Sequence, residues 1–178
     1  STPSQTRTIT PNQVTGPSYF DESLQTNVGQ KIDDMRNELF NVQGSVSGLA
    51  ESLAMLEKKN QQMAAEYYAS VATISTQLQS GTTPGNPRLV NKLGVARENL
   101  ERLSGNIAAL NDLALDISNV ASMTSYLMES ARAAYGLSGA IEEDHVSLAQ
   151  LEDAVNKIVI VIERLATNVS DDLSRTTS

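Results

Sequence analysis

One spacing in the sequence could hold a metal. Glu142 and His145 stand three residues apart, so a helix would place both on one face. Di-iron helical bundles use this Glu-x-x-His spacing, but they need two such motifs and two further glutamates. His145 is the only histidine in the chain, so a second motif would have to come from a second copy. The residues are therefore read as an acidic helix start with a solvated histidine, without metal or cofactor. Ser and Thr are abundant, but one His and no Cys leave little to activate them as nucleophiles. The glycines are scattered and form no phosphate-cradling loop. Lys58-Lys59 is the only basic doublet, too small for nucleic acid. No enzyme activity and no nucleic-acid partner are expected.

Other residues point to contacts between helices. Asn60 falls at an inward position of an otherwise apolar seam, where a polar side chain lowers stability but fixes register and strand number. Tyr67 extends that polar-edged layer two turns later. The run Ile158-Val-Ile-Val-Ile162 is five β-branched residues long, which taken alone favours a strand. Heptads on both sides favour helix instead. Ile160 then faces outward, so Ile158, Ile160 and Ile162 are read as a surface for a second copy or a partner helix.

The elements that carry these residues follow from proline and from periodicity. Three of the five prolines lie in residues 1–17, which hold almost no apolar residue and read as a disordered tail. Residues 1–20 are assigned as a flexible tether and 21–178 as a helical bundle. The other two prolines sit in Gly81-Thr-Thr-Pro-Gly-Asn-Pro87, a strong breaker. Residues 88–178 contain no proline, as long helices require.

A first helix, about 21–80, starts with Asp21 or Ser23 as N-cap. Its heptads read Ile32, Leu39, Val46, Leu53, Asn60, Tyr67 and Ile74, interleaved with Val28, Met35, Val42, Leu49, Leu56, Met63 and Ser70. A second helix, about 88–135, carries Leu93, Ala96, Leu100, Leu103, Ile107 and Leu110 inward. From Leu113 onward its seam widens to include Val120, Leu127 and Ala134, so that part should meet more than one neighbour. Gly136 and Gly139 then mark a turn or hinge, across which the register slips by one residue. A third helix, about 140–173, repeats Leu148, Val155, Ile162 and Val169 against Asp144, Leu151, Ile158, Leu165 and Asp172. The expected fold is all-α: an elongated antiparallel coiled-coil bundle of about three long helices.

Composition agrees with a rod. The 178 residues include 40% apolar but only 4% aromatic side chains, with no Trp. Lys+Arg number 13 and Asp+Glu 21, a net charge of −8. The acidity sits on the first and third helices, while the second is balanced. No stretch reaches the roughly 18 apolar residues that a membrane-crossing helix needs.

The opening STPSQTRT resembles the Ser/Thr/Pro/Gln-rich tether that follows the lipidated cysteine of bacterial lipoproteins. The Ala/Ser/Asn/Asp/Gln-rich heptads are similar to periplasmic coiled coils of cell-envelope lipoproteins. Tyr135-Gly-Leu-Ser-Gly-Ala-Ile-Glu-Glu-Asp-His145, Leu151-Glu-Asp and Ile162-Glu-Arg-Leu165 resemble a helical region of alphaproteobacterial envelope proteins. Those carry an OmpA-like domain that the 178 residues lack. The resemblance implies a periplasmic, non-enzymatic spacer, scaffold or tether, in one form anchored to the outer membrane through an N-terminal lipid. It implies a homo-oligomer, or another helical envelope protein as partner. Ile117-Ser-Asn-Val-Ala-Ser-Met-Thr-Ser-Tyr-Leu-Met128 is also similar to the hairpin tip of chemoreceptor signalling domains, which implies a signalling bundle as the alternative. A metal-binding bundle enzyme is the other alternative, resting on Glu142 and His145.

Overall fold

The computed structural model describes residues 27–137 and 141–177. The expected tether, the helix start near Asp21 and Gly139 lie outside the described residues. Three helices make up the fold: α1 Asn27–Gln79, α2 Pro87–Ala134 and α3 Glu142–Thr177. They form an antiparallel bundle, and no strand occurs among the described residues. The β-branched run at Ile158–Ile162 is helical, and α3 continues four residues past its expected end at 173. At 1.5 Å per residue, the 53 residues of α1 span about 80 Å and the 36 of α3 about 54 Å.

Local chemistry sets the ends. Gly81 adopts a left-handed φ of 95°. The Thr82 N–H donates to the Gln77 carbonyl at 3.0 Å and the Gly81 N–H to Leu78 at 3.2 Å. This is a Schellman closure, and it satisfies carbonyls that the end of α1 would otherwise leave unpaired. The side chain of Asn86 then caps α2, accepting from the Arg88 N–H at 3.0 Å, with Pro87 in the first helical turn. At the other end of α2, three successive N–H groups (Tyr135, Gly136 and Leu137) donate to carbonyls three residues back. The helix therefore ends at the expected turn, and α2 and α3 are separate helices. The buried Asp144 reaches back to accept from the Ile141 N–H at 3.3 Å, so the first turn of α3 is capped from within.

Because α3 is short, the bundle has two regimes. A three-helix body contains all of α3 and the lengths of its neighbours that its 36 residues lie along, α1 to about residue 62 and α2 from about residue 104 onward. Its core includes Val28, Val46, Leu110, Leu127, Leu151 and Leu165, each nearly inaccessible to solvent. Beyond α3 the rest of α1 and the start of α2 continue alone as a two-helix arm. There α1 has no fully buried residue, and α2 buries only Leu89, Ala96 and Asn99.

The second helix corrects one expectation. Leu93 and Leu100, expected to point inward, are 44% and 49% exposed. The row that meets α1 is instead Leu89, Lys92, Ala96, Asn99, Leu103, Asn106 and Leu110, continued through Leu113, Ile117, Val120, Thr124 and Leu127. Burial in the body decides this, because Leu113, Val120 and Leu127 are all buried there and fix the rotation of a continuous helix. The parallel row Ala114, Ala121, Met128 is left to face α3.

Candidate functional site

The junction of body and arm brings together the residues most suggestive of recognition. Asn60 does occupy the seam. The Nδ2 of Asn106 donates to Asn60 Oδ1 at 2.9 Å and lies 3.4 Å from the Met63 sulfur. The pair fixes the register of the hairpin, since a one-residue slip would break it. Asn106 was not singled out in the sequence. Tyr67 is half-buried, with its ring edge-on to exposed Tyr68 at 5.6 Å and 65°.

From the Asn60–Asn106 layer the flanks of the arm can be counted in sevens. On α2 the row facing α3 runs Met128, Ala121, Ala114, Ile107 and then Leu100 and Leu93. On α1 the matching row runs Gly29, Arg36, Gln43, Ala50, Glu57, Ala64 and then Val71 and Leu78. Along the body this flank is closed: Gly29, Ala50 and Met128 are buried, and Ala114 and Ala121 pack against the core. The opposite flank holds open grooves lined by α1 and α2 alone, such as one between Glu38, Val42, Met123 and Tyr126. So α3 occupies one defined groove between α1 and α2. Past the last turn of α3 the same groove continues uncovered by any described residue, with Val71, Leu78, Leu93 and Leu100 exposed in it and Tyr68 and Val90 along its edges.

The β-branched run is divided. Ile158 and Ile162 are buried in the body, whereas Ile160 is 58% exposed. The nearby Lys157–Asp153 ion pair, at 3.2 Å, makes its surroundings polar. The run is therefore not a continuous apolar face, and it lies on α3, away from the arm.

Glu142 and His145 are both exposed at the start of α3. The His145 ring lies against Tyr135, centroids 5.4 Å apart, and the Tyr135 hydroxyl donates to the His145 carbonyl at 3.4 Å. Burial, and secondarily the Glu152 carboxylate, hold the Tyr135 phenol above its ordinary pKa. This contact ties the end of α2 to the start of α3 just outside Gly136. A β-carbon at Gly136 would meet only the Ala133 carbonyl, at 3.7 Å. Among the described residues no three His, Asp or Glu side chains converge to hold a metal ion. No helix among the described residues is long and apolar enough to cross a membrane. Comparison with known protein families, with curated proteins and with solved structures finds no match for this chain.

Proposed function

We propose that the chain is a non-enzymatic spacer or scaffold, a helical rod of the bacterial cell envelope held at one end and presenting its arm at the other. The observation that carries this reading is the length of α1. A single 53-residue helix sets a span of about 80 Å. A compact domain of this chain length would have a radius of gyration near 16 Å. A stiff helical rod sets distance, and helix seams supply contacts to a second copy or to a helical partner. The periplasmic assignment rests on the Ser/Thr/Pro-rich opening and the lack of Cys.

Solution scattering on the dilute chain tests the rod. An 80 Å rod has a radius of gyration of at least about 23 Å, being its length divided by the square root of 12. A value near 16 Å would remove the basis for a spacer.

A further inference from the structure

We infer that the uncovered groove of the arm is a self-association site, in which two copies overlap their arms antiparallel to form a short four-helix segment. The inference rests on the rod reading and specifies its partner. Three observations carry it.

The first is continuity. The groove that α3 fills along the body is the same one that runs on past its end, with Val71, Leu78, Leu93 and Leu100 where the body has residues covered by α3. The lining changes from small residues such as Ala50, Ala114 and Ala121 along the body to larger apolar ones along the arm, so the apolar flank continues past the helix that covers it. The second is steric. Because α3 lies on this flank, two copies docking side by side in the same direction would drive their α3 helices into each other. Only the antiparallel overlap of arm on arm clears them, and the two-fold axis then makes the contact isologous. The third is charge. Residues 64–102 hold Arg88, Lys92, Arg97 and Arg102 against Glu66, Glu98 and Glu101, while the whole chain carries −8. The arm is the near-neutral part of an acidic rod. Antiparallel overlap joins the neutral parts and sends the acidic bodies to opposite ends, several Debye lengths apart.

The overlap, from Ala64 to Gln79, is about 24 Å long. Two helices wide, it covers about 500 Å² on each partner, at the low end of specific interfaces. The pairing is therefore reversible and depends on concentration.

The test uses the full chain in a concentration series, by sedimentation and by solution scattering. The expected result is a monomer–dimer equilibrium in which the dimer is longer than the monomer by about 55 Å, the 80 Å rod less the overlap. L93E/L100E, and independently V71E/L78E, should raise the dimer Kd at least tenfold with helix content unchanged. A chain that stays monomeric to millimolar concentration overturns the inference. So does a dimer no longer than the monomer, or one indifferent to both variants, or a foreign helix that binds the arm of a persistently monomeric chain. Rod dimensions in the dilute chain, measured in the same series, remain a separate result, so loss of the pairing and loss of the spacer reading are told apart.

Discussion

Replacing both members of the Asn60–Asn106 pair by leucine should stabilise the hairpin, while replacing either one alone should not. Both side chains are half-buried, and they share a 2.9 Å hydrogen bond. Full burial of a leucine side chain contributes about 1.5–3 kcal/mol, so a half-buried site contributes about 1 kcal/mol. The lost hydrogen bond costs about 1 kcal/mol net. N60L/N106L therefore gains about 1 kcal/mol. Each single variant gains one leucine, loses the bond and leaves an amide facing an apolar side chain, so it ends at or below the stability of the parent. The coupling between the sites is about 1 kcal/mol, outside the scatter of independent substitutions. In a chain of this size the double variant should melt about 2–4 °C higher. Circular dichroism of the four proteins, at concentrations where the chain is monomeric, measures the cycle. If the two single shifts add up to the double shift, the asparagines do not act as a pair and the register argument fails.

Gly44 and Gly48 lie mid-helix in α1, where an added β-carbon would meet nothing within 4 Å. G44A/G48A should therefore gain about 2 kcal/mol in chemical denaturation, from about 1 kcal/mol at each helix-interior glycine. G81A should lose about 1 kcal/mol in the same assay, because Gly81 holds a left-handed φ. Ile160 is exposed beside an ion pair, so I160E should leave stability within about 0.5 kcal/mol. It should also leave self-association unchanged; a monomeric I160E would move the interface to α3. The raised pKa of Tyr135 favours its neutral form in the folded state, so that stability is present below the unfolded value of 10.0 and declines as pH rises beyond it. Denaturant midpoints from pH 9 to 11 should fall less steeply for Y135F than for the parent.

Much of this architecture was legible because heptads encode it directly. Pro84 and Pro87 placed the first turn, and Val28 through Leu53 lined up as a single seam that the body buries. Asp144 and Asp172 fell at inward positions, and both are buried. The rotation of α2 was not legible. In a three-helix body the middle helix carries two apolar rows, one for each neighbour. Leu93, Leu100 and Ile107 form one such row, and Leu89, Ala96 and Leu103 the other. Nothing in the spacing says which row meets α1. The choice is made further along the helix, where Leu113, Val120 and Leu127 pack in the body and a stiff helix carries their orientation into the arm. For the same reason the sequence points to Ile158, Ile160 and Ile162 and to the seam at Asn60 and Tyr67, but not to Val71, Leu78, Leu93 and Leu100. Recognising the arm's groove requires knowing where α3 stops.

That stopping point has a mechanical consequence. α1 passes unbroken from body to arm, held by two neighbours over about its first two thirds and by one over the rest. Local opening costs free energy in proportion to the packing it disrupts. Amides before Leu53 should exchange with solvent only when the body opens as a unit. Those beyond Asn60 can exchange by unzipping inward from the loop at Pro84. A load applied at the tip would be absorbed there first, so one continuous helix serves as both a stiff shaft and a compliant end.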